Sequence, residues 1–208
     1  MAIPVLEKTS RAKRIVARNV RRPTKIPADL IYEMVANAPI YYRGYHEVMQ
    51  GQKTVEELMG SSFMQSLLIS RIARFLMIRL PADYEILTNE LGLQCAKGTT
   101  RAVDLAIYPK ALLHGIPLHN KYLDVPPQIV IEIDTKADLS SFATPMDYYY
   151  LKTDELLAVG VNKVIWIFTE ARKVTVAEAR RDWLTRNWTQ EIQILEDVAL
   201  NLAQLLEE

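Results

Sequence analysis

The stretch 126-PPQIVIEID-134 decides the predicted fold, because it reads as an alternating strand that ends in acids. Over residues 128–134 the alternation puts three isoleucines on one face of the strand and Glu132 and Asp134 on the other. An ionised carboxylate in the core of a sheet is costly unless a partner neutralises it. The stretch therefore predicts a buried strand whose acidic end needs a neutralising partner.

The segment after this strand predicts a return into the same sheet. Thr144 is suited to cap a helix that begins at Pro145 and stops at Gly160. The run NKVIWIF, residues 162–168, then reads as a buried strand. Residues 128–168 thus predict a strand–helix–strand crossover with two parallel strands.

Upstream segments predict a second helix and two further strands. A Gly-Ser-Ser sequence precedes the run FMQSLLISRIARFLMIRL, and Pro81 follows it, so a capped helix is expected over 62–80. Residues 84–93 and 102–108 are predicted strands. In 102–108 the alternation should place Val103, Leu105 and Ile107 on one face and Asp104 and Ala106 on the other.

The remaining predictions concern the two ends of the folded region. Segment 27–38 lies between prolines and is predicted to form a short helix. The aromatic-rich segment 40–52 is predicted to form a strand or hairpin at the sheet edge. Residues 197–208 are predicted to form a closing amphipathic helix.

Composition narrows the class of protein. The chain has 208 residues, half of them hydrophobic, which suits one globular domain, and no apolar run approaches the length of a membrane span. A single cysteine, Cys95, excludes an internal disulfide and favours a cytoplasmic protein. Between Lys8 and Lys25 stand eight basic residues and no acid, a pattern that suits phosphate binding but also a solvated terminus or a transit peptide.

Two acids on neighbouring predicted strands indicate the chemistry. Asp104 and Glu132 project from the polar faces of their strands and, if the strands are adjacent, can share a hard divalent cation such as Mg²⁺ or Mn²⁺. The cation offsets their repulsion and lowers the pKa of a bound water, and a nearby lysine can orient that water. Taken singly, each acid would be read as a satisfied strand-end carboxylate. Taken together, they predict a site for phosphodiester hydrolysis.

The order of several motifs is similar to that of a known family. The runs RAVDLAIYP, PPQIVIEI and KTDELLAVGVNKVIWIF resemble the Uma family of PD-(D/E)XK endonucleases. The resemblance implies an α/β restriction-endonuclease-like fold, a mixed β-sheet flanked by α-helices. It further implies a basic arm over 1–26 followed by one domain over 27–208, and Mg²⁺-dependent cleavage of DNA. Dimers are common in this fold, so a homodimer is a further expectation.

The resemblance assigns roles to individual residues. Asp104 matches the metal-binding aspartate and Glu132 the acidic residue of the (D/E)XK motif. Lys152 matches a lysine that has moved from the strand to the following helix, where it would position or activate the attacking water. Glu90 matches a further acid near the metal, and the main-chain carbonyl of Ile133 can be another ligand.

Two departures from the family pattern leave a rival open. Val103 stands where the family has proline, and Asp134 occupies the usual lysine slot, with Lys136 the nearest lysine in sequence. Asp134 would be either a second metal contact or the sign of a site that has lost catalysis. The alternative is therefore an inactive nucleic-acid-binding or regulatory protein on the same fold, and hydrolysis of another phosphate ester is a third option.

Overall fold

Strands and helices alternate along the chain in the computed structural model, which describes residues 25–207. After a 3-10 turn at Ala28–Leu30, the helices are α1 (Tyr45–Met49), α2 (Val55–Met59), α3 (Phe63–Arg79), α4 (Lys110–Leu113), α5 (Pro145–Ala158) and α6 (Leu202–Glu207). The strands are β1 (Ile31–Val35), β2 (Ala38–Tyr41), β3 (Tyr84–Ala96), β4 (Thr99–Pro109), β5 (Ile129–Ile133), β6 (Lys163–Phe168), β7 (Lys173–Glu178), β8 (Leu184–Asn187), β9 (Ile192–Leu195) and β10 (Val198–Leu200).

Eight of these strands form one mixed sheet in the order β2-β1-β4-β5-β6-β7-β8, with β3 also paired to β4. The pair β5–β6 is parallel, and the other pairs of this sheet are antiparallel. Strands β9 and β10 pair with each other apart from it. The helix α5 connects the two parallel strands, so the predicted crossover and the predicted mixed α/β fold are confirmed.

Helices cover both faces of the sheet because each face of the central strands is apolar. On one face, Leu68 and Ile72 of α3 pack in a cluster with Leu105 and Ile131 of the central strands. On the other face, Leu156 of α5 belongs to a second cluster that includes strand residues of β4, β5 and β6. Strand β5 is buried over its whole length, which explains its nearly continuous apolar sequence.

The two long helices begin and end where their capping residues predict. The Ser62 hydroxyl accepts a hydrogen bond from the Gln65 N–H at 3.1 Å, and α3 stops just before Pro81. The Asp147 carboxylate accepts the Thr144 N–H at 2.7 Å at the start of α5. Beyond the end of α5, Gly160 has a φ of 114°, which glycine adopts without steric cost.

Predictions for the two ends of the domain were only partly right: residues 40–41 lie in the edge strand β2 and residues 202–207 form a closing helix, but the rest differs. Residues 31–41 form the hairpin β1–β2 rather than a helix, with Ala36 and Asn37 at positive φ in its turn. Segment 40–52 contains α1, and residues 198–200 form a strand before the short final helix. In each case long-range strand pairing or packing overrode the local pattern.

Part of the predicted basic arm lies outside the described residues, because the structure describes the chain only from residue 25 onward. Within residues 25–207, no helix is long and apolar enough to cross a membrane.

Candidate active site

The site lies at a gap in strand pairing on one edge of β4. Strand β3 pairs with β4 along its length, so β1 and β5 share the opposite edge. On that edge β1 pairs with β4 at Thr100, and the pairing of β5 with β4 starts at Leu105. Within the described part of the chain, residues 101–104 therefore have no strand partner on that edge. Unpaired main-chain groups in a core must find side-chain partners, which makes this gap a place for buried polar residues.

Glu33 and Lys152 fill the first part of the gap. The Glu33 carboxylate accepts the Ala102 N–H at 3.2 Å, and Lys152 Nζ donates to the Ala102 carbonyl at 2.7 Å. These side chains thus replace the neighbouring strand for Ala102. The sequence prediction had placed Glu33 in a helix, so its role here was missed.

Asp104 fills the other end of the gap. Its carboxylate accepts the main-chain N–H of Ile133 at 2.7 Å, at the point where β4 and β5 separate. The amide of Gln65, from the first turn of α3, donates to the same carboxylate at 3.1 Å. Burial raises the pKa of Asp104, although the Ile133 N–H, the charge of Lys152 and the Gln65 amide act in the opposite direction. Asp104 is therefore a buried acid held against the end of β5.

A bulge in β3 shapes the entrance to Asp104. Asn89 and Glu90 both have positive φ, at 70° and 54°, and lie opposite Asp104 between two regular stretches of pairing. Beside the bulge the alternation of β4 shifts, because Val103 packs in the α5-side cluster and Leu105 in the α3-side cluster. The prediction that these two share one face was therefore wrong.

An open cleft of about 340 Å³ lies over this bulge, and Glu90, Asp104 and Lys136 line it. Glu90, one of the predicted metal-site acids, thus shares the cleft with Asp104. Its carboxylate pairs with Lys136, whose Nζ also donates to the Met59 carbonyl at 2.9 Å. Lys136, the lysine nearest to Glu132 in sequence, therefore lies in the cleft.

Lys152 lies in the core beside Glu132. Its Nζ is 2.9 Å from Glu132 and 2.8 Å from Glu33, in addition to its bond to Ala102. The Ala102 carbonyl accepts a hydrogen bond from Lys152, and the two carboxylates are ion-pair contacts. Burial lowers the pKa of Lys152, but the charges of Glu132 and Glu33 outweigh it and raise the pKa well above its ordinary value. Lys152 is thus a charged, fully enclosed lysine.

Glu132 is the buried acid whose charge is least compensated by hydrogen-bond donors. Its Oε1 lies near Lys152 but has no donor at hydrogen-bond geometry. Burial raises the pKa of Glu132 to about 8; Lys152 opposes this shift, and the charge of Asp104 adds to it. The influence of Asp104 on Glu132 agrees with the hydrogen bond from the Ile133 N–H to Asp104, because Ile133 is the next residue after Glu132.

Carboxylates outnumber cations in this buried region. Arg101 contacts Glu33 at 2.6 Å and Glu155 at 2.7 Å, which makes it the second cation besides Lys152. Four carboxylates therefore face two cations: Glu33, Asp104, Glu132 and Glu155 against Arg101 and Lys152. The set therefore has two more carboxylates than cations, and Asp104 has no direct ion-pair contact with either cation.

This excess fits a divalent cation of the magnesium type. Within residues 25–207, no group of three or more His, Cys, Asp and Glu side chains forms a metal cage. Mg²⁺ is commonly held by only one or two carboxylates together with waters and substrate phosphates, so a full cage is not needed. Asp104, Glu132 and the Ile133 carbonyl provide hard oxygen donors of that kind.

Asp134 has a structural task outside this cluster. Its carboxylate accepts the Thr169 N–H at 2.9 Å and the Thr169 hydroxyl at 2.5 Å, which ties the end of β5 to the end of β6. Its φ of 53° lies in the left-handed region, which Asp and Asn adopt more readily than other side chains. These contacts explain an acid at the usual lysine slot without a role in catalysis.

Replacing Asp134 should test this structural task. We expect Asp134→Ala to lower the free energy of unfolding by about 1–3 kcal/mol, because two hydrogen bonds are lost and alanine is strained at this φ. Asp134→Asn should lose less, since asparagine tolerates the backbone and keeps one acceptor. Urea denaturation of both variants measures the difference. Equal stability of Asp134→Ala and wild type would contradict the assignment.

Gln65, Glu33 and Arg101 are site residues that the sequence did not reveal. Gln65 had a faint signal, because it stands in helical spacing with the buried residues Leu68 and Ile72. A polar side chain on a buried helical face needs a partner, which here is Asp104. Glu33 and Arg101 had no such signal, since their partners are distant in sequence.

Comparison with known proteins agrees with the fold. No protein-family model matches the chain, and no curated protein matches it. One similar solved structure is described as "a putative nuclease belonging to DUF820" from Anabaena variabilis ATCC 29413. It has a TM-score of 0.53 and 13% sequence identity, over 69% of this chain and 78% of that one. At this identity the similarity shows a shared mixed α/β fold.

Proposed function

We propose that this protein is a divalent-cation-dependent nuclease that hydrolyses DNA phosphodiester bonds. The observation that carries the proposal is the arrangement of Asp104, Glu132 and the Ile133 carbonyl where β4 and β5 separate, with Asp104 lining an open cleft. The similarity in fold to a protein described as "a putative nuclease" supports it. Carboxylates that are buried, short of positive charge and next to a cleft are typical of functional sites.

Asp104, Glu132 and the Ile133 carbonyl would hold Mg²⁺ or Mn²⁺ in this proposal. When bound, such a cation stabilises the charge that develops on the phosphate and activates a water molecule. The protein prepares Asp104 in advance, because the Ile133 N–H holds its carboxylate at the end of β5.

The two lysines have different tasks in the proposed site. Lys152 is a positioning residue that holds Glu132 and offsets part of its charge. Because Lys152 is fully enclosed by Glu33, Glu132 and the Ala102 carbonyl, it could orient the attacking water only if one of these contacts opened when DNA binds. Lys136 lies in the cleft with Glu90 and is placed to meet a phosphate of the substrate.

This assignment corresponds to a PD-(D/E)XK site of the Uma type, with the lysine moved to the helix after the second acidic strand. Lys152 lies on α5, as that pattern requires, and its Nζ reaches Glu132 at 2.9 Å. DNA is the proposed substrate, held in part by the basic segment that begins at Lys8. A homodimer stays a prediction.

One observation favours a second candidate function. Lys152, the lysine beside Glu132, is fully enclosed by two carboxylates and the Ala102 carbonyl. The usual lysine slot holds Asp134, which is bound to Thr169. A protein of this fold that binds nucleic acid without cutting it would tolerate this arrangement.

Incubation with supercoiled plasmid tests the proposal. We expect the wild-type protein to nick or linearise the plasmid in Mg²⁺ or Mn²⁺ and to stop when EDTA removes the cation. Glu132→Gln should slow cleavage by at least about 100-fold, because it removes a charged cation ligand. DNA binding measured by fluorescence anisotropy in Ca²⁺ separates the two candidates. Binding without cleavage in either metal would favour the non-catalytic function.

A further inference from the structure

The side-chain amide of Gln65 occupies a point where three oxygens converge. Its Nε2 is 3.1 Å from Oδ1 of Asp104, 3.3 Å from Oδ2, and 3.2 Å from the Ile133 carbonyl oxygen. The side chain is buried, and the N–H of the same residue is held by the Ser62 cap at the start of α3. The helix cap holds the backbone of Gln65 and burial confines its side chain, so that only the terminal amide can turn.

An amide nitrogen holds these oxygens in place but brings no charge. Its two hydrogens can serve Asp104 Oδ1 and the Ile133 carbonyl, while Asp104 Oδ2 accepts the Ile133 N–H. The surrounding cluster has two more carboxylates than cations, and a neutral amide does not change that balance. A carboxylate, a main-chain carbonyl and an amide oxygen are the ligands that hard divalent cations prefer.

We propose that Gln65 is a ligand of the divalent cation and that its amide turns over when the cation binds. Without the cation, the amide nitrogen donates to the Asp104 carboxylate and to the Ile133 carbonyl, which gives both oxygens a hydrogen-bond partner. With the cation, the amide oxygen takes the place of the nitrogen. The torsion involved joins an sp³ and an sp² carbon and is therefore soft. This inference rests on the proposed function, because it assumes that Asp104 binds a cation.

Glutamine suits this position better than glutamate would. A glutamate at residue 65 would add a fifth carboxylate to a set that already has two more acids than cations. That extra charge would destabilise the fold when no cation is present. A glutamine supplies an oxygen to the cation and a donor in its absence, so the fold does not depend on the metal.

Cation titration without DNA tests the inference, with isothermal titration calorimetry of Mn²⁺ and Ca²⁺ as the measurement. We expect Q65M to weaken binding at least about tenfold, because methionine fills the same space without the amide oxygen. Q65E should bind more tightly than wild type, because it offers a charged oxygen at the same place. Gln52 is exposed, so Q52M is a matched control that should bind as wild type does.

The outcomes separate this inference from the proposed function. If Q65M and Q65E bind both cations as wild type does, while Asp104→Asn does not, Gln65 is not a ligand but the cation site stands. If the wild-type protein binds neither cation, both proposals fail. Far-UV circular dichroism checks that each variant is folded. If Q65M is unfolded, the cation affinity of Q65E alone decides whether Gln65 is a ligand.

Discussion

Asp104→Asn is expected to reduce cation-dependent DNA cleavage by at least about 100-fold while leaving the protein folded. The substitution removes the charge that would bind the cation, and electrostatic groups of this kind account for effects of this size or larger. The asparagine oxygen can still accept the Ile133 N–H, and the Gln65 amide can turn to accept from the new NH₂ group. Nicking of supercoiled plasmid in Mg²⁺ and Mn²⁺ measures the rate, and urea denaturation measures the stability.

A matched control makes this result specific. Asp154 is exposed on α5, so Asp154→Asn changes the same charge without touching the site and should cut as wild type does. Cleavage by Asp104→Asn at the wild-type rate would remove Asp104 from the site and assign any activity to another part of the molecule. A loss of activity together with a loss of folding would instead mark Asp104 as structural.

Lys152→Ala is expected to lower the free energy of unfolding by about 3–5 kcal/mol. Removing the ammonium leaves the Glu33 and Glu132 carboxylates and the Ala102 carbonyl buried without their donor. Breaking a buried ion pair from one side costs this much because the remaining charge cannot reach water. Since whole domains are stable by only about 5–15 kcal/mol, a substantial part of the variant could be unfolded at 37 °C. Urea or thermal denaturation measures the loss.

The exposed residue Lys121 provides the control for Lys152. Lys121→Ala should change the free energy of unfolding by no more than about 0.5 kcal/mol. The double variant Lys152→Met with Glu132→Gln should recover part of the loss seen in Lys152→Ala, because it removes one of the stranded charges. A loss below about 1 kcal/mol in Lys152→Ala would contradict the enclosed position of this lysine.

This expected instability changes how a catalytic test should be designed. Inactivity of Lys152→Ala would be uninformative about chemistry if the protein were also unfolded. Asp104→Asn and Glu132→Gln keep the shape of the side chain and most of its hydrogen bonds, so they separate chemistry from folding. The lysine is better examined last, under conditions where denaturation shows the variant to be folded.

Local sequence determined the central part of the fold. The caps at Ser62 and Thr144 and the breaks at Pro81 and Gly160 act within a few residues, so they define α3 and α5 in any context. The apolar runs of β5 and β6 likewise specify buried strands joined by a crossover. Residues 31–41 were misread because a hairpin there depends on pairing with β4, which is distant in the chain.

The sequence by itself determined the two acidic strand ends and the helix between β5 and β6, whereas the tertiary structure decided what surrounds Asp104 and Glu132. Only the fold shows that β4 lacks a strand partner on one edge at Ala102, that Glu33 and Lys152 replace that partner, and that Gln65 reaches Asp104. The physical reason is distance along the chain: strand alternation and helix caps are local, whereas a buried charge takes its partner from whichever element the topology brings beside it.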